Sequence, residues 1–421
     1  MSLAEGVSAR VAYKPYTTGV IDSNTQAVSS TDPGPTGGQV LRRVATTIKL
    51  AKDSYQATEI RSDRQVVDMR HGTRRVTGNV SGEFSPGTYF PLFEAGFRGT
   101  ATDAQDTPLD QSTFTSVVAN KTASTITFGS GDPVASGFRK GSIFSLAGVS
   151  ATEFNGLQFV AVAFGGITNA TITVAPAPPA DMAAELTFTV NSPGKHLFIP
   201  STGFARRKFG LEVFHEDIAS ARLYTECRVG GFNLGLPASG MSTIEFPFFG
   251  RDMELYDAVS PLGVAPFFTA PAPETTAGIF AAVNGMLLVG GSVVGVVTGL
   301  TLAMDLQSSS DAVVGQNFVP EVFQGTNAIT GQMTAMLEDN TFIRNFLNED
   351  EIEIFVSLAT TNAPDAPTVT MLLPRVKFSD ADVAVQGLGA QTLTIPFTAL
   401  KYIGTASGVE QTTMQIFDSA A

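Results

Sequence analysis

Residues equipped for chemistry are few and scattered in this chain. Cys227 is the one cysteine, and His71, His196 and His215 are the three histidines in 421 residues. That set allows no intramolecular disulfide and is poor material for a zinc site, which gathers several such ligands at short spacing. Cys227 reads as a small buried apolar side chain. Asp380 and Asp382 form a carboxylate pair, but acid–base work would need them in a cleft that splits their pKa values, and on a loop they are surface charge. His215 beside Glu216 and Asp217 reads as an exposed charged turn rather than a relay. The sequence holds no Gly-x-Ser-x-Gly elbow, no phosphate loop ending in Gly-Lys-Ser or Gly-Lys-Thr, and no histidine pair at metal spacing. It therefore predicts no enzyme, no cofactor and no metal.

One charged cluster stands apart. Residues 52–75 carry Lys52, Asp53, Glu59, Arg61, Asp63, Arg64, Asp68, Arg70, Arg74 and Arg75, with Tyr55 among them. Mixed signs suit two readings: a solvated loop, or a loop that docks by complementary charge on a neighbouring subunit and fixes register rather than supplying bulk affinity. Lys52, Asp53, Tyr55, Glu59, Arg61, Asp63, Arg64, Asp68 and Arg70 are the candidate residues of such a loop, between rings or between subunits.

The elements that must position this loop are strands. Most of the chain alternates apolar and polar residues in short runs broken by Gly, Pro, Asn and Asp, which predicts an all-β fold with a few short helices. One pattern occurs twice. Val76, Gly78, Val80, Gly82 and Phe84 alternate with Thr77, Asn79, Ser81 and Glu83, and Ile329, Gly331, Met333, Ala335 and Leu337 alternate in the same way 253 residues later. Gly72-Thr73 matches Gly325-Thr326 upstream, and Tyr89, Leu92 and Phe93 match Phe342, Asn345 and Phe346 downstream. Ser85-Pro86 and Asp339 are helix-start signals. The apolar stripes Tyr89, Leu92, Phe93, Phe97 and Phe342, Ile343, Phe346, Leu347 then predict a helix packed on a sheet in each copy. Val44, Ile48 and Leu50 precede the first unit as Leu300, Met304 and Leu306 precede the second, at an offset of 256. Arg228-Val229 before Ile244, Phe246, Pro247 and Phe248 matches Arg375-Val376 before Leu393, Ile395, Pro396 and Phe397. Two homologous β domains in one chain follow.

Residues 101–195 have no counterpart in the second copy and read as an inserted small β domain, with strand patterns at 125–128, 142–146, 158–163 and 171–174. Its ends lie close together in the pattern of the first copy, as a tolerated surface insertion requires. Residues 1–39 form an N-terminal arm in this reading, and 23–39 and 261–276 read as linkers. The domains are then 40–100 with 196–260, the insert 101–195, the linker 261–276, and 277–421. Residues 275–304 lack charge over a length that suits a membrane span. The glycines within, and the pairs Asn284-Gly285 and Gly290-Gly291, favour hairpins instead.

Composition narrows the class further. Charged residues are 15% of the chain against 43% apolar, which argues against disorder. The net charge is −13, and residues 253–421, with 4 basic and 17 acidic residues, carry that whole excess. General binding through nucleic-acid phosphates needs a basic face, so none is predicted. The first residues show no signal-peptide pattern, giving an expectation of synthesis in a reducing cytoplasm.

The segment 51–97 contains Lys52-Asp53-Ser54-Tyr55-Gln56, then Glu59-Ile60-Arg61-Ser62-Asp63-Arg64-Gln65, then Gly78-Asn79-Val80-Ser81-Gly82-Glu83-Phe84-Ser85-Pro86-Gly87-Thr88-Tyr89. It resembles the tail tube (major tail) proteins of long-tailed, non-contractile bacteriophages. Thr202-Gly203-Phe204-Ala205-Arg206-Arg207-Lys208-Phe209 and Glu216-Asp217-Ile218 are similar to the family's second block, and Gly137-Phe138 with Gly141 to its inserted module. The resemblance covers most of residues 40–260; the second copy joins it through the repeat. It implies two tandem β-sandwich or half-barrel domains, each with a flanking helix, whose long hairpins join neighbours around a lumen. Since such tubes have six folds per ring, a chain with two folds implies a trimer with pseudo-sixfold symmetry, stacked into a virion tail in the host cytoplasm. Implied partners are further copies of the chain, the tail terminator, the tape measure and distal tail proteins, with viral DNA passing unbound and no membrane involved. The acidic second copy would line the channel, and the insert would project from the outer wall. The rival readings are a tube of a phage-derived particle or injection device, a secreted β-rich adhesin, which would be a monomer, and, weakest, a wall hydrolase.

Overall fold

The computed structural model describes residues 5–16, 32–60, 62–104, 108–294, 297–381 and 391–421. The chain is all-β with two short α-helices, Phe90–Phe97 and Thr341–Leu347. Its antiparallel strands form two tandem sandwiches and a smaller inserted β domain, none of them closed into a barrel.

The two sandwiches share one strand plan. In the first, Lys49–Gln56 pairs with Met69–Glu83, and that strand pairs with Thr243–Gly250. In the second, Val297–Asp305, Ala328–Met336 and Thr392–Ala399 repeat the order. Register repeats as well: Phe246 faces Val80 as Ile395 faces Met333, and Phe248 faces Gly78 as Phe397 faces Gly331. A backing sheet closes each core. Ala9–Pro15, Phe209–His215, Ser220–Val229 and Asp252–Tyr256 follow one another in the first, and Gly285–Val289, Ile352–Ala359, Thr368–Phe378 and Gln415–Asp418 in the second. Part of the expected N-terminal arm is thus a paired strand, with Val11, Ala12 and Tyr13 buried. Its counterpart lies inside the charge-free stretch 275–304. There Gly290-Gly291 turns the chain at positive φ, whereas Asn284-Gly285 leads into a strand. No helix among the described residues is long and apolar enough to cross a membrane.

Two offsets shift by two residues from the sequence expectation. Leu50 faces Val76 and Met304 faces Ile329, so the lead-in strands match at 254 rather than 256. Arg228 faces Phe249 and Lys377 faces Thr398, so the counterpart of Arg228 is Lys377, and that of Glu226 is Arg375. In-and-out alternation has period two and is blind to a slip of two.

Glycine placement explains part of the repeated pattern. A Cβ on Gly331 would lie 2.3 Å from the Phe397 ring and 2.6 Å from the Thr301 carbonyl oxygen. Gly78, at φ +148°, would bring a Cβ to 2.5 Å from the Ile48 Cα. Gly82 leaves room for the Tyr89 hydroxyl, which donates to the Arg42 carbonyl. The second copy, with Phe342 in place of Tyr89, has Ala335 in place of Gly82.

The helices begin later than the start signals suggested. Ser85 and Pro86 lie in the preceding turn, Tyr89 is the first cap, and the proline near the N-terminus of the helix is Pro91. Asn340 caps the second helix, while Asp339 accepts bonds from the Thr341 amide and hydroxyl. Burial separates the two helices. Tyr89, Leu92, Phe93 and Phe97 are buried, Phe93 meeting Phe232 at 5.1 Å, but Phe342, Ile343 and Phe346 are only half-buried and Leu347 is exposed.

The insert hangs from a stem in which Thr102–Asp103 pairs with Lys195–Phe198. Its eight-stranded sheet encloses Phe114, Phe128, Phe144, Phe159 and Phe188. It is seated on the second sandwich: Ile143, Val160 and Val162 pack on Leu288, Phe355, Leu372 and Phe417, flanked by the pairs Arg139–Glu410 and Lys140–Glu353. The expected linkers also pack. Thr36 bridges Thr269, Gln39 bridges Ala272, and Phe268 is fully buried.

Candidate assembly interface

The two sandwiches are fused edge to edge. Gly231–Pro237 pairs on one side with Thr243–Gly250 of its own copy and on the other with Val297–Asp305 of the second copy, from Gly231 against Asp305 to Pro237 against Gly299. Gly231 makes the crossing possible, because a Cβ there would lie 1.9 Å from the Met304 carbonyl oxygen. A single sheet therefore runs through Lys49–Gln56, Met69–Glu83, Thr243–Gly250, Gly231–Pro237, Val297–Asp305, Ala328–Met336 and Thr392–Ala399. Among the described residues, Lys49–Gln56 has no partner on its outer side, and Thr392–Ala399 is paired on its outer side only near its end, with Val376 to Phe378. Such edges are templates for another chain.

One face of this sheet covers the core and the other is open. The open face carries Thr77, Asn79, Ser81, Thr243, Asn233, Thr301, Thr330, Gln332, Thr334, Thr392, Thr394 and Thr398, with Lys49, Glu83, Glu245, Asp305 and the pair Arg75–Asp53 as its charges. Of the described acidic residues after Met253, Asp305 alone stands in a strand of this face. The others lie at the second helix and its turns, in the backing strands or in loops, so the negative charge of the second half is not spread over the open face.

The charged run 52–75 forms a protruding hairpin rather than a simple loop. Strands pair out to Gln56 against Met69, and the Ala57 amide donates to Asp68 across the tip. Asp53 pairs with Arg75 at 2.9 Å and Asp68 with Arg70 at 2.7 Å. Lys52, Glu59 and Arg64 are exposed, Arg64 at positive φ, and Asp63 accepts a bond from the Gln65 amide. Arg61 lies outside the described residues. What the charge pattern did not reveal is the apolar surface between: Tyr55, Ile60, Val66, Val67 and Met69 are all more than half exposed.

The equivalent segment of the second copy is docked on the first. Glu321 lies 2.5 Å from Arg228 and 3.5 Å from Lys208. The Val322 carbonyl accepts from Arg228, Gln324 donates to the Val229 carbonyl, and Arg251 covers the Phe318 ring at 4.3 Å. Glu226, at positive φ in a bulge, turns inward to hold Lys208 and Arg251. Burial pulls the Arg228 guanidinium below its ordinary pKa range, and Glu321 opposes that shift.

The residues first considered for chemistry are structural. Cys227 is fully buried, and burial pushes its thiol up. His196 stacks on Phe417 at 4.1 Å, and burial drives its pKa down to about 3. His215 ends a strand, while Asp217 accepts from the Glu5 amide. Asp380 accepts from the Ala381 amide, and Asp382 lies outside the described residues. No metal-binding cluster occurs among the described residues.

Two sandwiches fused edge to edge, with sheet edges open among the described residues, define a β-structural protein. Residues 6–399 match the sequence model of the phage tail tube protein family, and the chain belongs to that family. A search of curated proteins found no match.

Proposed function

We propose that the chain polymerises into stacked trimeric rings that form the tail tube of a long-tailed, non-contractile phage and carry DNA during delivery. The observation that supports this most is the internal junction between Gly231–Pro237 and Val297–Asp305. It joins two copies of one fold side by side in a continuous sheet and, among the described residues, it leaves Lys49–Gln56 and most of the outer side of Thr392–Ala399 as edges at the two ends. The same junction repeated between chains brings six sandwiches into a ring of three chains and removes every open edge. Axial contacts between unlike surfaces then extend rings into a filament. In this reading the open sheet face is the lumen, and its hydroxyl and amide side chains give passing DNA few cationic holds. The hairpin with Lys52, Asp53, Tyr55, Glu59, Arg61, Asp63, Arg64, Asp68 and Arg70 is the inter-subunit contact. The units are 40–100 with 196–260, the insert 101–195, and 277–421, with the strand Ala9–Pro15 added to the first. Tail terminator, tape measure and distal tail proteins are the partners at the tube ends, met in the host cytoplasm.

Negative-stain microscopy of the purified chain over rising concentration tests the proposal. Rings or hollow filaments are expected; a chain that stays monomeric at every concentration and with tail-initiator proteins overturns it.

A further inference from the structure

The two lead-in hairpins carry one motif in opposite states of exposure. Val66, Asp68, Met69, Gly72 and Thr73 recur at 253 residues as Val319, Glu321, Val322, Gly325 and Thr326. In the second copy Val319 and Val322 are buried, at 0% and 3% exposure, and Glu321 is held by two cations of the first copy. In the first copy Val66 and Met69 are 67% and 51% exposed, and Asp68 pairs with the exposed Arg70. One hairpin is docked within the chain, and its twin presents the same side chains to solvent.

The strand register identifies the surface that the twin fits. Arg228, which holds Glu321, is matched in the second sandwich by Lys377, since Arg228 faces Phe249 as Lys377 faces Thr398. The bulges match too: Phe209 faces Cys227 next to one, and Ile352 faces Val376 next to the other. The ion pair Lys208–Glu226 is thereby matched by Glu351–Arg375, with its signs reversed. Lys377 has only long pairings, 3.8 Å to Glu349 and 4.0 Å to Glu351, with its side chain 37% exposed. Glu349, Asp350 and Glu351 follow one another beside Arg375, Lys377 and Lys401, whose carbonyl accepts from Arg375, so acids and cations are equal in number there. A carboxylate brought beside Lys377 meets a cation whose own partners are distant, and the neighbouring Arg70 meets the acids.

We propose that Asp68 of one protomer docks beside Lys377 of the adjacent protomer in the ring, with Val66 and Met69 buried at that contact as Val319 and Val322 are within the chain. The occupant is a second copy of this chain, and the inference rests on the ring reading above. Charge complementarity and the intramolecular junction both support it. The reversed pair Glu351–Arg375 gives this junction a charge pattern unlike the internal one, which favours correct register over misdocking.

The test is a full-length chain carrying Asp68→Cys and Lys377→Cys, oxidised after assembly and run on a non-reducing gel; the natural Cys227 is buried and serves as its own control in the single variants. Covalent dimers and trimers, and nothing larger, are expected from the double variant and absent from each single variant. Assembly visible by microscopy without cross-linking overturns the docking but leaves the tube reading intact. A ladder beyond trimer places the hairpin between rings, and a cross-link confined to monomers places it within one chain; either overturns the proposal. A wild-type chain that never assembles sinks both readings at once.

Discussion

At the residue scale, His196 and Cys227 are buried in packing, and the histidine makes folding sensitive to pH. His196 stays neutral in the folded protein because burial holds its pKa near 3, while the unfolded chain takes up its proton below about 6.5. The unfolded state therefore binds more protons between those values, so this contribution to stability is intact above pH 6.5 and is lost as pH falls. Asp418, pushed up to about 6 by burial, acts in the opposite sense, losing stability as pH rises through the range between 3.8 and 6. The difference between wild type and His196→Phe isolates the histidine. Between pH 6.5 and pH 4, wild type should lose roughly 3 kcal/mol more than the variant in denaturant unfolding. Equal pH profiles would refute the assignment. Gly331→Ala forces a Cβ to 2.3 Å from Phe397 and should cost about 1–3 kcal/mol by overpacking, read as a lower midpoint in the same titration.

At the element scale, the strand that joins the sandwiches depends on Phe232, fully buried and in edge contact with Phe93 at 5.1 Å. Phe232→Ala should destabilise the chain by about 3–5 kcal/mol, measured by thermal or denaturant unfolding; a loss under about 1 kcal/mol would show that the junction is held elsewhere. The alternating strands were legible because Val76, Val80, Ile329 and Met333 must face a core, and their mates must not. Their partners were less so. A two-residue slip preserves alternation, so Arg228 was matched to Arg375 when hydrogen bonding matches it to Lys377. Ala9–Pro15 is hard to read from sequence because its partner, Phe209–His215, lies some 200 residues away, and its own pattern is short. The hairpin 52–75 announced its charge in the sequence, but the docking of Glu321 depends on a bulge that no periodicity records.

At the scale of the whole molecule, the sheet that spans both copies has one covered face and one open face with few charges. If the open face lines a channel, a low affinity for DNA follows from the scarcity of cations rather than from a dense acidic lining. Asn233→Lys with Gln332→Lys places two new cations per chain on that face. Assembled tubes of this variant should retain DNA with an affinity that falls steeply with salt, whereas wild-type tubes should retain little, as a filter-binding titration would register. Similar retention by both would move the open face away from the channel.

The account depends most on strands of one chain completing the sheet of the next, and a cryo-EM reconstruction of the assembled particle reads this directly. Three chains per ring are expected, with the sheet of one chain continuing past its Thr392–Ala399 end into the Lys49–Gln56 end of its neighbour's sheet. Rings in which both edges remain open to solvent, or in which the chain count is not three, would contradict it.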